Sequence, residues 1–370
     1  MINRTIEIGK KILSKNGLPS HIVLFITNRC NMECDHCFLV ESGELNDLTR
    51  EQILSLENIR KLAKSNPKLL ALSITGGEPF LRKDISEIIG AFTESGYLKS
   101  INIVSNGYQT NRILEAIKKI LNENKMIDIF LSISLDGDNE IHNIIRKKSN
   151  AYSNAINTIR GLSKISQKNT RLSIGVNSTY IGTNFDSISK LYRELNNVEL
   201  NYVSLNLLRG VTWQSKPKEI DIDEYKKLCN LKEKLIISKK NKSSFANHLM
   251  TSKGKLMTNI IADTYQKDCS VSDCYAGSLF GVIKDNGEVF ACEQLSQPIG
   301  NLSKVDYDLS KIWFSEAAKK QRDSIRKHEC HCTYECVSSC NIFFNPKYYP
   351  FLLKEIVSII PFINLTYTSK

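Results

Sequence analysis

No apolar run in this 370-residue sequence is both long and charge-free enough to span a bilayer. The opening stretch, MINRTIEIGKKILSKNG, alternates charged and apolar residues. It has no continuous apolar segment of the kind a secretory signal needs. Repeats at solenoid periods are absent, and so are low-complexity tracts. Aromatic and basic residues do not interleave as a base-stacking groove requires, so nucleic acid is not an expected partner. These absences point to a soluble chain in the cytoplasm, where thiols stay reduced.

What is present is a globular composition, 41% apolar and 24% charged, in a chain long enough for two domains. It carries eleven cysteines. In a reducing compartment that number argues for metal or catalysis over disulfides. The net charge of +11 has two readings. One is attraction to an acidic partner, such as a phosphorylated substrate or an anionic membrane surface. The other is a lysine-rich surface with solvated runs such as SKKNK at 238–242.

Organisation follows from periodicity. After a helical lead-in (1–20), six short apolar runs alternate with amphipathic segments from 21 to 210: HIVLFIT, LLALSIT, INIVS, IDIFLSISL, RLSIGVNST and ELNYVSLNLL. Apolar runs with helical crossovers predict parallel strands covered by helices. Six such units predict an α/β fold, an open partial (β/α)6 barrel, with chemistry at the C-terminal strand ends. Residues 211–268 read as a lysine-rich helical bridge in which Cys229 is a buried core thiol. Residues 269–345 form a small cysteine-rich α+β domain. Its LFGVIKDNGEVFAC stretch predicts a hairpin turning at Asn286-Gly287. An apolar, proline-broken tail closes the chain at 346–370. It is expected to pack on the protein's own core or to make peripheral contact with a membrane surface.

Right after the first strand comes TNRCNMECDHCF, with Cys30, Cys34 and Cys37 spaced C-x3-C-x2-C. Three thiolates on a four-iron cubane leave one iron open, and an open position is what a catalytic metal centre needs. A zinc knuckle completed by His36 or a distant residue is the alternative. The second strand ends in TGGEPFL, where Gly76 and Gly77 allow close backbone approach.

With an aromatic, Phe38, following the third cysteine, the pattern resembles the signature of radical S-adenosylmethionine enzymes, and the resemblance extends through most of the chain. It implies a [4Fe–4S] cluster with an open site at Cys30, Cys34 and Cys37, with S-adenosylmethionine on the open iron. It implies methionine recognition by Gly76, Gly77, Glu78 and Pro79. It also implies a cofactor pocket lined by Ser105 and Asn106, Ser134 and Asp136, and Asn177, at successive strand ends. Arg146 would meet the cofactor carboxylate. For each of these, strand-end capping and turn chemistry is the plain alternative.

CYAGSLFGVIKDNGEVFAC, with Gly287 ahead of Cys292, looks like the opening of the SPASM extension, which carries auxiliary iron–sulfur clusters. The resemblance implies one cluster on Cys269, Cys274, Cys292 and Cys340 and a second on Cys330, Cys332 and Cys336. This chain departs from that family's pattern in two ways. The later group reads C-x-C-x3-C-x3-C, and no cysteine follows Cys340. A single auxiliary [4Fe–4S] cluster is therefore the alternative, with Cys274 and Cys292 pairing with two cysteines of the later group. Zinc among these thiolates with His328 and His331 is a further one.

The implied chemistry is one-electron cleavage of S-adenosylmethionine to methionine and a 5′-deoxyadenosyl radical, which abstracts a hydrogen atom from substrate. An external donor of the flavodoxin or ferredoxin type would supply the electron. Glu293, next to Cys292, is expected to act as a base, as in sulfatase-maturing relatives; a surface glutamate at a hairpin end is the alternative. The substrate is expected to be a peptide or protein side chain. A small alcohol, sugar or lipid-linked molecule is the other enzymatic reading. Only about twenty residues precede the first strand, short for an appended peptide-binding domain. A zinc-stabilised binding protein without catalysis is the reading from another class.

Overall fold

The computed structural model describes residues 17–49, 54–211, 220–239 and 245–357. All six expected runs form strands: β1 (His21–Phe25), β2 (Ala71–Thr75), β3 (Ser100–Ser105), β4 (Asp128–Ser134), β5 (Leu172–Tyr180) and β6 (Tyr202–Leu207). They pair in parallel, each with the next. The crossovers are helical, as parallel pairing demands. A single short turn, α1 (Phe38–Glu41), precedes α2 (Leu56–Ser65). Then come α3 (Ile85–Thr93), α4 (Thr110–Glu123), α5 (Asn139–Ile145), α6 (Ala151–Ser166) and α7 (Phe185–Glu194). Their starts follow ordinary capping chemistry. Ser55 accepts from the Asn58 amide at the head of α2, and Asp138 accepts from Ile141 at the head of α5.

The bridge is α8 (Ile222–Lys239) and α9 (Phe245–Lys267). Cys229 is 1% exposed in the core there, as its lone position in an amphipathic helix implied. The cysteine-rich region then adds β7 (Phe280–Ile283) and β8 (Glu288–Phe290), an antiparallel hairpin turning at Gly287 with φ +77°, and a short β9 (Gly300–Asn301). Helices α10 (Leu309–Trp313), α11 (Glu316–Arg326), α12 (Glu335–Phe344) and α13 (Tyr349–Val357) complete the described chain.

One arrangement is not visible in the apolar pattern. Strand β7 pairs in parallel with β1, on the side opposite β2. The sheet order is β6-β5-β4-β3-β2-β1-β7-β8-β9, so the sheet runs unbroken from the barrel into the cysteine-rich region. Strand β1 is therefore central and buried on both faces. Ile22, Leu24 and Ile26 face the core shared with the helical crossovers. Val23 and Phe25 face a second cluster containing Phe280, Cys292, Tyr334 and Cys340. This two-sided burial explains why HIVLF is an unbroken apolar run.

His21, at the start of β1, shares a 2.8 Å hydrogen bond between Nε2 and the Ser73 hydroxyl and meets Phe280 edge-on. Burial lowers its pKa to about 4. The native state thus holds the neutral imidazole where the unfolded chain, near pH 6.5, would take up a proton. Stability from this group is full above about pH 6.5 and is lost as pH falls toward 4, on the order of 3 kcal/mol. Urea unfolding of the cluster-free protein at pH 7 and pH 4.5 should show this slope, and His21→Gln should flatten it. An identical slope in both proteins would refute the assignment.

Part of the expected tail is α13. Tyr348 and Leu352 are buried with Ile342 against Leu249, Leu256, Met257 and Ile260. This stretch docks on α9, in line with the core-packing expectation. Among the described residues no helix is long and apolar enough to cross a membrane. Residues 1–16 and 358–370 lie outside the described residues, so most of the lead-in and the end of the tail do too.

Candidate active site

The C-terminal ends of the barrel strands open on a cavity with about 980 Å³ of space between atoms, part of it continuous with solvent. Its floor is built by two loops stitched together. The Gly77 amide donates to the Thr27 carbonyl at 2.9 Å and the Glu78 amide to that of Arg29 at 2.8 Å. Gly76 has φ +138°, and a methyl group there would collide with the Thr27 carbonyl oxygen. A methyl at Gly77 would collide with that of Arg29. No side chain fits between the cysteine loop and the end of β2, which accounts for the glycine pair. Gly77→Ala is expected to force the loops apart and weaken S-adenosylmethionine binding more than tenfold. Gly254→Ala, in α9 with only ordinary contact near its new methyl, should leave binding unchanged. Equilibrium dialysis with labelled S-adenosylmethionine measures both, and wild-type affinity in Gly77→Ala would remove the cradle from the argument.

Cys30, Cys34 and Cys37 all line this cavity, with Phe38 beside them. The Cys30 amide donates to Asn46 Oδ1 at 2.8 Å, and the Cys37 amide donates to the Cys34 carbonyl at 3.1 Å, so the loop's own backbone fixes it. Burial pushes the Cys30 thiol up to about 12 and raises that of Cys34. Thiolates would persist here only against a cationic centre. Three sulfurs on one wall, a backbone cradle without side chains stitched to the same loop, and this chemistry fit a cluster with one open position. Among the described residues no three His, Cys, Asp or Glu side chains converge closely enough to share a single ion.

The remaining expected residues divide into two groups. Ser105, Asn106, Ser134 and Arg146 line the cavity with Gly76 and Gly77. Asn106 Nδ2 donates to Asn31 Oδ1 at 2.8 Å, tying the end of β3 to the cysteine loop. Glu78, Pro79, Asp136 and Asn177 stand behind the wall. Glu78 is 1% exposed and accepts from the Phe80 amide, the Ser105 hydroxyl and the Asn106 amide. It shapes the end of β3 and does not face the cavity. Pro79 is buried at the head of a 3-10 turn, Pro79–Leu81.

Asp136 is fully buried and grips Arg146, with Oδ2 2.7 Å from Nε and 2.6 Å from Nη2, while Oδ1 accepts from the Thr179 amide. Burial is the largest influence on the Asp136 carboxyl and would raise it, but the Arg146 guanidinium, His36, His142 and the Thr179 amide together hold it below the ordinary range. The third guanidinium nitrogen, Nη1, lies 3.5 Å from Cys34 Sγ. Arg146 thus presents positive charge to the sulfur wall. Asn177 pairs with Ser134 inside the sheet, and because β5 continues to Tyr180, Thr179 stands at the rim instead.

Sequence reading missed Thr75, Thr179, Asn206, Arg209 and Gln294, all of which line the cavity. Thr75 and Thr179 were within reach of a strand-end rule applied with better boundaries. Arg209 and Gln294 carry no motif and come from the segments that follow β6 and the hairpin.

A second cavity, with about 560 Å³ of space between atoms, part of it continuous with solvent, lies in the cysteine-rich region. Cys274, Cys292, Cys330 and Cys332 line it, two from around the hairpin and two from the later group. This grouping mixes the two sets that the two-cluster pattern implied. Cys340 is buried in the same apolar cluster, whereas Cys269 and Cys336 are exposed. His331 lines this cavity but bonds Asp268, and His328 bonds Ser270. Glu293 lines neither cavity. It accepts from the Tyr334 hydroxyl at 2.8 Å and lies 3.5 Å from Arg209 Nη2.

Residues 24–207 match the Radical SAM superfamily. An uncharacterized protein of Methanocaldococcus jannaschii is 25% identical over 210 residues, 57% of this chain and 70% of that protein. The GTP 3′,8-cyclase of Aquifex aeolicus is 33% identical over 111 residues, and the match spans only 34% of that enzyme. Among solved structures, Streptococcus suis SuiB bound to S-adenosylmethionine superposes with a TM-score of 0.60 at 17% identity, covering 86% of this chain and 71% of SuiB. SuiB has also been solved with its precursor peptide SuiA. A further structure, anSMEcpe with bound AdoMet, gives a TM-score of 0.56 at 15% identity, covering 93% of this chain and 99% of that one. At these identities the structural likeness establishes the shared fold.

Proposed function

Because residues 24–207 are a Radical SAM superfamily domain, we propose that this chain uses S-adenosylmethionine to abstract a hydrogen atom from a peptide side chain. The observation that carries the reading is the juxtaposition of Cys30, Cys34 and Cys37 with the Gly76–Gly77 cradle in one cavity at the strand ends. Cys30, Cys34 and Cys37 would hold a [4Fe–4S] cluster, and the backbone at Gly76–Gly77 would receive the methionine end of S-adenosylmethionine. Bound there, the pair supplies a carbon-centred radical after one-electron reduction. The chain's own residues then position and shield. Ser105, Asn106 and Ser134 offer polar contacts along the rim, and Phe38 and Met32 close the cysteine side against water. Arg146, fixed by Asp136, keeps positive charge beside Cys34. An auxiliary cluster on Cys274, Cys292, Cys330 and Cys332 would make the C-terminal region a single-cluster, SPASM-like extension.

The peptide reading draws support from SuiB, which has this fold and has been solved with a precursor peptide. An external one-electron donor completes the proposal. Reconstituted anaerobically and reduced with dithionite, the protein should convert S-adenosylmethionine to 5′-deoxyadenosine, with iron and sulfide near eight each per chain if both sites load. A colourless, zinc-containing preparation that makes no 5′-deoxyadenosine would sink the proposal. Cleavage that candidate peptides never accelerate, but small alcohols or sugars do, would move the substrate class alone.

A further inference from the structure

The cavity has two polar sides. One is the cysteine and glycine side described above. The other is built from the end of β6 and the segments that follow β6 and the hairpin, with Asn206, Arg209 and Gln294. Arg209 is the cation on that side, and its environment differs from that of Arg146. Arg146 has three guanidinium nitrogens engaged, two by one carboxylate oxygen and one beside sulfur. The Arg209 guanidinium carbon lies over the Tyr334 ring, 4.2 Å from its centroid, within cation–π range. Its Nη2 is held by Glu293 at a long 3.5 Å, and Glu293 is itself fastened by the Tyr334 hydroxyl. Nη1 is shielded from solvent and has no hydrogen-bond partner. The side chain is 19% exposed, so the group borders the cavity while largely withdrawn from water.

A buried charged donor without an acceptor costs more than a neutral one. A guanidinium held by its face and one corner keeps the rest of its fork for a planar oxyanion. The Glu335 carboxylate also acts on Arg209 through its charge, but no hydrogen bond or close ion pair joins them, and its Oε1 accepts from the Leu207 amide. We propose that Arg209 anchors an oxyanion carried by the substrate, and that Glu293 and Tyr334 are positioning residues for that guanidinium. On the peptide reading, on which this rests, the oxyanion is a carboxylate of an acidic side chain or chain terminus bound opposite the cysteine wall. The anchor would hold the substrate by a group other than the reacting carbon, leaving that carbon to face the Gly76–Gly77 side.

Equilibrium dialysis on the cluster-bearing protein with S-adenosylmethionine, at fixed ionic strength, tests this with two probes: labelled glutarate and labelled inorganic phosphate. One equivalent of glutarate should bind. Arg209→Gln should weaken binding at least tenfold, and Arg209→Lys, which keeps charge but loses the fork, by a smaller factor. Tyr334→Phe should weaken it severalfold by freeing Glu293. Preference for phosphate would keep the oxyanion anchor but overturn the carboxylate assignment. No saturable binding of either probe to wild type, or equal binding to wild type and a correctly melting Arg209→Lys or Arg209→Gln, would overturn the anchor itself. The same samples report 5′-deoxyadenosine formation. Its absence in wild type counts against the radical chemistry, whereas normal cleavage with Arg209-independent anion binding counts against this inference alone.

Discussion

Replacing Cys30, Cys34 and Cys37 together by alanine abolishes reductive cleavage of S-adenosylmethionine, on the site geometry described here, to the level of a protein-free control. The three sulfurs are the only cysteine thiols on the barrel cavity among the described residues, so no neighbour can take their place. The variant should remain folded, since Cys30 and Cys37 are only half-buried and the loop is fixed through backbone and Asn46 bonds. It should retain the iron of the second cavity, leaving about four irons per chain of the wild-type eight. Measured 5′-deoxyadenosine from dithionite-reduced variant above the blank would remove these cysteines from the chemistry. Loss of all iron would instead show that the second cavity holds none of its own.

The second large effect is on stability. Asp136→Ala leaves the Arg146 guanidinium buried with its carboxylate gone and the Thr179 amide without its acceptor. Breaking one side of a buried ion pair costs about 3–5 kcal/mol. The contrasting change is Asp306→Ala. That carboxylate pairs with Lys61 at 2.7 Å, but its side chain is 78% exposed and the pair is screened by solvent, so a far smaller loss than that of Asp136→Ala is expected. Urea midpoints of the cluster-free proteins give both values. An Asp136→Ala protein as stable as Asp306→Ala would mean that Arg146 finds another partner. Because Arg146 also stands beside Cys34, Asp136→Ala is expected to lower S-adenosylmethionine cleavage even where the protein folds.

Much of this molecule can be read along the chain, and the reason is locality. Parallel strands buried on both faces must be continuous apolar runs, so six runs separated by amphipathic segments name both the strands and their order. Cys30, Cys34 and Cys37 fall within eight successive residues, so their place together on one cavity wall can be read from the chain. So can the Gly76–Gly77 pair, because contact with a second backbone excludes any Cβ. The Asn286-Gly287 turn is legible for the same local reason.

What escaped the linear reading depends on contacts between distant segments. The spacing of Glu78 and Asp136 after their strands said nothing of which way each carboxylate points. Burial, the Ser105 hydroxyl and the amides of Asn106 and Thr179 turned both away from the cavity. The grouping of cysteines around the second cavity needed the path of the loop after α11, which brings Cys330 and Cys332 to Cys274 and Cys292 across more than thirty intervening residues. Strand β7 joins β1 across some 250 residues, a pairing set by two apolar faces that neither segment reveals alone. Arg209 became a site residue only because Tyr334 and Glu293 arrive from elsewhere to hold its guanidinium and leave one nitrogen unpaired. Local periodicity and backbone sterics are written in adjacent residues, whereas the partner of a buried charge is chosen by packing.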